Sequence, residues 1–277
     1  MSEMIKAGVI GHPVSHSKSP LIHNYWIKTY GLNGSYEAID AAPENLKSEI
    51  RRLTDEGYQG FNVTVPHKEA ILELCDKVDL GAQNIGAVNT VVIQNGALRG
   101  MNTDGFGFLH NIWDANPKFY FEEKTAVILG AGGATRAIVS ALIGEYIGQI
   151  ILLNRTRARA ETIREEMGCM SDLIVVEDWD HRVELLARAD LLINTTSLGM
   201  QGQPPLDLDL KALPSHALVN DIVYAPLQTD LLRSAQERGN PTVTGIGMLI
   251  HQARPAFKEW FGLLPDVTDE LKKLVLE

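Results

Sequence analysis

The chain has 277 residues, of which 45% are hydrophobic, and this length and composition favour a globular enzyme of two ordinary domains. The net charge of −10 at pH 7 argues against a nucleic-acid partner, because no basic stripe is present to displace counterions. No apolar run approaches the roughly 20 residues of a membrane span and no signal segment opens the chain, so we expect a cytoplasmic protein without a membrane partner.

The N-terminal part of the chain alternates extended and helical patterns. Its predicted elements are a strand over 4–10, helices over 20–30 and 43–56, a strand over 60–65, and a β-hairpin made of 88–93 and 97–101. Asn95-Gly96 is the turn signal of that hairpin. Pro66 stops the preceding strand and fits the first turn of a following helix, which would place Lys68 in that turn.

From about Gly105 the chain changes to a regular alternation of strands and helices. The predicted elements are a strand over 125–129, a helix over 134–146, a strand over 149–153, a charged helix to 167, a strand over 191–194, and, after Gly245, one long helix and a shorter one. This alternation indicates parallel βαβ units, so we predict an α/β protein.

A glycine-rich turn, Gly130-Ala131-Gly132-Gly133-Ala134, lies directly between a predicted strand and a predicted helix. Glycines in this context permit a tight turn and let the backbone approach a pyrophosphate, which the helix N-terminus then holds. The third glycine of the common dinucleotide pattern is absent. The turn therefore indicates a Rossmann-like nucleotide site, with a βα turn that binds nothing as the alternative.

The residues at the end of the next strand indicate which of the two nicotinamide cofactors, NAD or NADP, the chain binds. NAD enzymes place an acidic residue there to hold the ribose hydroxyl. This chain has Asn154, Arg155 and Thr156, with Arg157 and Arg159 immediately after them. Arginine forks match phosphate oxygens, so the segment favours NADP, whose ribose carries a 2′-phosphate. A solvated helix start with stray arginines is the alternative.

Polar residues near the first predicted domain's strands are candidates for chemistry. Asn62 and Thr64 alternate on one face of an otherwise apolar strand, and Lys68 follows them as a candidate general acid or base. Asp104 could help to fix the path of the proton, although an aspartate before an apolar run is also an ordinary helix N-cap.

Two hydroxyl-rich loops offer binding elements. Ser17 and Ser19 precede a predicted helix, whose N-terminus and Lys18 would suit a carboxylate ligand. The segment Thr195–Ser197 follows a parallel strand, where ligands of such sheets bind, although it could equally be a capping turn. The histidines lack metal-site spacing, so we expect no metal.

Taken together, these motifs make the sequence resemble the shikimate dehydrogenase family almost from end to end. The matching pieces are Ser17 to Pro20, Asn62 to Lys68, Gly86 to Thr90, Asn102 to Gly105, Gly130 to Ala134, Asn154 to Thr156, Asp221 to Pro226, and Gly245 to Ala253. Thr135 departs from the family, which often has alanine there. Each piece alone is only modestly specific for the family, and the resemblance is specific because all of the pieces occur in this order.

The resemblance implies roles residue by residue, with Lys68 and Asp104 as the catalytic pair. The implied substrate-binding residues are Ser17, Ser19, Asn62, Thr64, Asn89, Tyr224 and Gln252. With the segment after the strand 191–194 included, the cofactor-binding residues are Gly130, Ala131, Gly132, Gly133, Ala134, Asn154, Arg155, Thr156, Arg159, Thr195, Thr196, Ser197, Ile222, Gly245 and Met248.

The resemblance also implies an architecture and a reaction. An α/β substrate-binding domain, 1–104 completed by 245–277, would share a cleft with a Rossmann-like NADP-binding domain, 105–244. The implied reaction is the reversible, NADP-dependent reduction of 3-dehydroshikimate to shikimate, by a monomer or homodimer. The alternatives are a quinate/shikimate dehydrogenase of broader substrate and cofactor use, and a non-catalytic NADP-sensing module. Which member of the catalytic pair is the formal acid or base stays open.

Overall fold

A computed structural model describes residues 4–277, which form two compact units. One unit contains the chain up to Gly107 together with Leu249–Glu277, and the other is Phe108–Met248. Each contains a six-stranded sheet. Both boundaries fall inside a helix, whereas the sequence-based divisions at 104 and 244 lie at the starts of those helices, where the turn signals are.

The strands are β1 (Ile5–Gly11), β2 (Gly34–Asp40), β3 (Tyr58–Val63), β4 (Lys77–Val78), β5 (Thr90–Gln94), β6 (Ala97–Met101), β7 (Thr125–Leu129), β8 (Gln149–Leu153), β9 (Ile174–Glu177), β10 (Leu191–Asn194), β11 (Leu218–Asp221) and β12 (Thr242–Val243). The helices are α1 (Ser19–Thr29), α2 (Leu46–Asp55), α3 (Leu80–Ile85), α4 (Asp104–Ala115), α5 (Gly133–Gly144), α6 (Arg157–Glu166), α7 (Arg182–Leu185), α8 (Asp230–Glu237), α9 (Ile246–Phe261) and α10 (Asp269–Leu276). Short 3-10 helices lie at Pro43–Asn45, Ala70–Leu74, Gly168–Leu173, Trp179–His181 and Leu186–Arg188.

The first unit has a mixed sheet with the strand order β2-β1-β3-β5-β6-β4. β1 runs parallel to β2 and β3, while β5 and β6 are antiparallel neighbours. The predicted hairpin is therefore confirmed, and Asn95 and Gly96 have the positive φ angles, 54° and 78°, that a tight hairpin turn needs. β2 was not predicted. Its buried side chains, Tyr36 and Ile39, are three residues apart and so do not alternate with period two.

The C-terminal helices supply part of the core of the first unit. Trp260 of α9 is buried, and its indole N–H donates to Val91 O at 3.1 Å. Gly60 lies beside this contact with φ 157°, and a side chain at that position would overlap Val91 O and the Trp260 ring. A glycine in β3 therefore allows the long C-terminal helix to pack directly onto the sheet.

The segment after β3 differs from its prediction. Lys68 lies in a turn, and the helical hydrogen bonds begin only with the 3-10 helix Ala70–Leu74. The turn is held by other elements, because the His67 ring bonds Ala41 O at 2.8 Å and Lys68 O accepts from Val88 N at 2.8 Å. The expectation that Pro66 begins an α-helix was therefore wrong.

The second unit has an entirely parallel sheet with the strand order β12-β11-β10-β7-β8-β9. Numbered within the unit and read from the β9 edge, this order is 3-2-1-4-5-6, which defines the Rossmann fold. β7, β8 and β10 have their predicted bounds. β9, β11 and β12, which have four, four and two residues, were not predicted. The sequence order reverses between β7 and β10, the point where such sheets bind ligands.

Within residues 4–277, the structure contains no helix with the length and apolarity needed to cross a membrane.

Candidate active site and nucleotide site

Lys68 and Asp104 form a direct ion pair in the first unit. Lys68 Nζ donates to Asp104 Oδ2 at 2.5 Å, and the two side chains are 21% and 8% exposed. Lys68 comes from the turn after β3, while Asp104 is the first residue of α4. The pair thus joins two segments that are far apart in the sequence. Lys68 is the more accessible of the two residues.

Asn89 is the centre of the polar network around this pair. Its amide N–H donates to Asp104 Oδ1 at 2.7 Å and lies 3.4 Å from Gln252 Oε1. Its Oδ1 accepts from the Thr103 backbone N–H at 2.9 Å. Asp104 consequently has both carboxylate oxygens engaged, one by Lys68 and one by Asn89, and its orientation is fixed.

A second layer of buried side chains orients Asn62. The Tyr36 hydroxyl donates to Asn62 Oδ1 at 2.7 Å, and the Asn62 amide donates to Asn89 O and Thr90 Oγ1 at 3.2 and 3.0 Å. The His23 ring stacks on Tyr36 with 3.9 Å between centroids. Burial lowers the pKa of His23 to about 3, so the ring is neutral at physiological pH.

The serine loop lies between β1 and α1. The Ser19 backbone N–H donates to Ser17 Oγ at 3.3 Å, and Ser19 is buried at the start of α1. Lys18, expected to suit a carboxylate, donates one of its three ammonium N–H groups to Val275 O at 2.9 Å. Thr64 follows β3, and its methyl group occupies the space that a side chain at Gly11 would need.

A cavity of about 400 Å³ lies at the carboxyl edge of the parallel sheet in the second unit. Its lining residues are Gly130, Ala131, Gly132, Asn154, Arg155, Arg159, Trp179, Thr195, Thr196, Ser197 and Leu198. Nine of these were predicted as cofactor-binding residues, whereas Trp179 and Leu198 were not. The volume is within the range of small-molecule pockets, about 300–1,000 Å³.

The glycine-rich turn is locked against the loop that follows β10. Gly130 has φ 113°, and a side chain there would lie 2.5 Å from Thr195 Oγ1. Thr195 Oγ1 donates to Leu129 O at 2.8 Å and lies 2.8 Å from Thr135 Oγ1, which accepts from the Gly132 N–H at 3.0 Å. Thr135, the departure from the family, therefore braces the turn through its hydroxyl.

The three arginines after β8 differ in their partners. Arg157 donates to Asp178 Oδ1 and Val176 O, both at 2.8 Å, and to Glu161 at 3.1 Å. Arg155 and Arg159 form no ion pair with any other residue of 4–277 and line the cavity. The charge of Arg157 is thus compensated by protein groups, whereas the charges of Arg155 and Arg159 remain available to a ligand.

The donor set fits a phosphorylated dinucleotide. None of the described residues lining the cavity is acidic, and the N-terminus of α5 opens beside the glycine turn. Gly132 and Gly133 have open space where a side chain would project. Thr156, also predicted to bind cofactor, is the N-cap position of α6, and its carbonyl accepts from the Asn154 amide at 2.8 Å.

Ala134 lies in the first turn of α5, and the other remaining predicted residues of the second unit lie around the end of β11. Gly245 packs directly against the Ile222 backbone, where any side chain would overlap, and Met248 is buried. Tyr224 is 37% exposed in the loop after β11, and desolvation raises the pKa of its phenol. This places Tyr224 in a different compact unit from the other predicted substrate residues.

A buried carboxylate supports the loops after β10 and β11. Asp221 accepts from Thr229 at 2.7 Å, and from the Val223 N–H and the Asn194 amide at 3.0 Å. Burial raises the pKa of Asp221, and these three hydrogen bonds oppose the rise. Asn194 in turn accepts from the Thr196 N–H and hydroxyl, so Asp221 acts on a cavity-lining residue through Asn194.

Several residues of the network were missed by sequence reasoning. Thr90 and Thr103 lie within the quoted motifs but were given no role, although their hydroxyls belong to the network. Tyr36 and His23 carried no signal, because β2 was not predicted and a histidine in a helix is uninformative alone. Among residues 4–277 there is no cluster of three or more His, Cys, Asp or Glu side chains able to hold a metal.

Comparison with known proteins gives a consistent picture. Three family models match: the shikimate dehydrogenase substrate binding domain over 9–91, shikimate/quinate 5-dehydrogenase over 114–200, and the shikimate 5′-dehydrogenase C-terminal domain over 245–275. A curated relative from Paramagnetospirillum magneticum, shikimate dehydrogenase (NADP(+)), is 50% identical over 98% of this chain and 97% of its own length.

Two solved structures are also similar over nearly their full length. Shikimate 5-dehydrogenase from Thermus thermophilus, in complex with NADP(H) and shikimate, has a TM-score of 0.88 and 37% identity, covering 98% of each chain. Quinate dehydrogenase from Corynebacterium glutamicum, in complex with NAD, has a TM-score of 0.89 and 30% identity, covering 99% of this chain and 98% of its own.

The Rossmann sheet with its cationic cavity, together with a Lys–Asp pair on a separate α/β unit, defines a dinucleotide-dependent oxidoreductase. The sequence identity to curated relatives, which extends over nearly the full length of the chain, assigns it to one family within this class. The chain belongs to the shikimate dehydrogenase family.

Proposed function

We propose that this chain catalyses the reversible, NADP-dependent reduction of 3-dehydroshikimate to shikimate. The observation that carries the proposal is the Lys68–Asp104 pair, joined at 2.5 Å and surrounded by neutral hydrogen-bonding side chains. Bound NADPH would supply a hydride to the carbonyl carbon of the substrate. The protein's own task is then to orient the substrate and to deliver the proton that the new alkoxide oxygen requires.

Lys68 is the member of the pair that can reach the substrate oxygen. Its side chain is more exposed than that of Asp104, and one of its three N–H groups is used by Asp104 Oδ2. The remaining N–H groups are available to a carbonyl oxygen. Asp104, held by Asn89, keeps the ammonium group in place, and in the reverse direction the proton passes from the shikimate hydroxyl back to the pair.

The substrate would be held by neutral groups on the same unit. Shikimate carries a carboxylate and several ring hydroxyls, and the hydroxyls of Ser17 and Ser19 at the start of α1 suit the carboxylate. Thr64 and Gln252 offer hydroxyl and amide groups for the ring hydroxyls. Such groups reject an analogue that lacks a hydroxyl, because their own hydrogen bonds would then be lost. Asn62 was predicted to bind substrate, but both of its amide N–H groups are already bonded, so we assign it the support of Asn89.

The cofactor would be held by the second unit. The glycine turn and the N-terminus of α5 suit the pyrophosphate, and Arg155 and Arg159 suit a 2′-phosphate. Asn154 stands where an NAD enzyme has an acidic residue. Gly245 and Met248, beside Ile222, remain the proposed neighbours of the nicotinamide.

The test is to follow reduced-nicotinamide absorbance in four mixtures: shikimate or quinate, each with NADP or NAD. We expect strong signal only with shikimate and NADP. Comparable rates with quinate or NAD would replace the proposal with the broader quinate/shikimate activity. Absence of signal from folded protein in every mixture would favour a non-catalytic, nucleotide-sensing role.

The proposal includes a cytoplasmic location and a monomer or homodimer. Both cysteines, Cys75 and Cys169, are unbridged, as expected in a reducing compartment. Size-exclusion chromatography with light scattering distinguishes the two oligomeric states.

A further inference from the structure

Trp179 is the one aromatic residue among the described residues that line the nucleotide cavity. The rest of the lining consists of glycines, hydroxyls, an amide, two arginines and small or aliphatic side chains. These groups suit phosphates and riboses. A large planar apolar ring suits neither, and instead matches a planar base.

The register of the sheet determines which part of a dinucleotide lies near Trp179. β8 and β9 are parallel, with Leu153 opposite Glu177. The residues that follow, Asn154 and Arg155 after β8 and Trp179 after β9, therefore leave the sheet at the same edge. The end of the second strand of a Rossmann sheet binds the adenosine ribose, so Trp179 lies at the adenosine end of the site.

Two arginines that are not available to a ligand fix the indole in place. Arg157 is bonded to Asp178, the residue before Trp179, and to Val176 O of β9. The Arg182 guanidinium lies 5.1 Å from the centroid of the Trp179 ring, and its Nη1 donates to Trp179 O at 3.1 Å. The ring is therefore ordered before a ligand arrives, which lowers the entropic cost of binding.

We propose that Trp179 contacts the adenine ring of the cofactor by stacking and contributes to affinity for the adenine group itself. This role rests on the proposed function, because it assumes a nicotinamide adenine dinucleotide in the cavity. It differs from the role of Arg155 and Arg159, because adenine is common to NADP and NAD whereas the 2′-phosphate is not.

The experiment measures dissociation constants by calorimetry for NADPH, NADH and adenosine 2′,5′-bisphosphate, which carries the adenine and 2′-phosphate without the nicotinamide. Truncating an aromatic residue that stacks on a base costs about 5- to 150-fold in affinity. We expect Trp179→Leu to weaken all three ligands by a similar factor in that range, and Trp179→Phe to retain most of the affinity. Trp113→Phe, which changes a tryptophan of the same unit outside the cavity lining, is the matched control.

Fluorescence provides a second measurement that does not need the leucine variant to fold. We expect adenosine 2′,5′-bisphosphate to change the tryptophan emission of the wild type and of Trp113→Phe, but not that of Trp179→Phe. Unchanged affinity of folded Trp179→Leu for the bisphosphate, or an equal emission change in Trp179→Phe, would overturn the role of Trp179 alone. Failure of the wild type to bind any of the three ligands would overturn the proposed cofactor as well.

Discussion

The two sites of this protein differ in whether their charged side chains are paired with each other. In the first unit, Lys68 and Asp104 are bonded to each other, and Asn89 holds the second oxygen of the carboxylate. In the second unit, Arg155 and Arg159 line the cavity without an ionic partner among the described residues. One site is internally paired, while the other leaves its charges for a ligand.

Burial explains the difference. Asp104 and Asn89 are buried, and buried polar groups need hydrogen-bond partners, so a network that orients them also stabilises the unit. Arg155 and Arg159 are exposed and keep their hydration until a phosphate arrives. We infer that the first site is organised for proton transfer in a fixed geometry, whereas the second selects a ligand by charge.

The largest effect is expected for Lys68→Ala, which removes the proposed proton donor from the fixed network. General acid–base catalysis contributes about 10²–10⁴-fold, so kcat should fall by a factor in that range while the KM for shikimate changes little. Steady-state kinetics with shikimate and NADP measure both constants. Lys47→Ala, on the exposed face of α2, is the control, and turnover of Lys68→Ala equal to that of the control would remove Lys68 from the mechanism.

A smaller effect is expected when both free arginines are replaced. Hydrogen bonds to charged groups contribute about 1.5–3 kcal/mol, so Arg155→Ala/Arg159→Ala should bind NADPH about 10- to 150-fold more weakly. NADH, which lacks the 2′-phosphate, should bind as in the wild type. Titrations of both cofactors check this, and an equal loss for NADPH and NADH would show that the arginines do not recognise the 2′-phosphate.

Asp221 supplies a prediction on pH and stability. Its folded-state pKa is raised above the ordinary value of 3.8, so between those two values the native protein binds a proton that the unfolded chain does not. The associated stability is present below the ordinary value and is lost as pH rises through the folded value. Relative to Asp221→Asn, the wild type should gain a few degrees in apparent Tm as pH falls from neutral toward about 4.

Thermal unfolding of the two proteins at several pH values tests this expectation. Parallel curves would mean that Asp221 has the same pKa in both states. Asp221→Asn also changes the support of the nucleotide cavity, because Asp221 accepts a hydrogen bond from Asn194, which in turn accepts one from the cavity-lining Thr196.

The smallest effect is expected for Arg157→Ala. Its guanidinium group is already bonded to Asp178, Val176 O and Glu161, so we do not expect it to hold a phosphate. The affinity for NADPH should fall by less than about fivefold, because an exposed ion pair contributes little and Arg182 still holds Trp179 in place. Calorimetric titration checks this, and a loss as large as that of the double variant would show that all three arginines act together.

The parts of the fold that could be predicted are those with a local signal. β7, β8 and β10 are short buried runs next to glycine or polar turns, and Asn95-Gly96 marks the hairpin. β2 lacks an alternation of buried and exposed side chains, and β9 is a four-residue strand that directly follows a 3-10 helix, so neither was predicted. The helix expected at Lys68 failed because that turn is held by distant residues, which no local pattern reveals.

The candidate site was predictable where residues carry recognisable chemistry. The glycine turn, Arg155 and the Lys68 and Asp104 motifs were found, whereas Tyr36, Thr103 and Trp179 act only through their three-dimensional neighbours. The same limit applies to Lys18 and Arg157. Their charges are visible in the sequence, but their partners at Val275 and Asp178 are not.

The most direct test of this division between the sites is kcat/KM for NADP and for NAD, with saturating shikimate, in the wild type, Lys68→Ala and Arg155→Ala/Arg159→Ala. The account predicts that Lys68→Ala lowers both values equally and leaves their ratio unchanged, whereas the arginine variant lowers the NADP value and reduces the ratio. A changed ratio in Lys68→Ala, or an equal loss with both cofactors in the arginine variant, would contradict it.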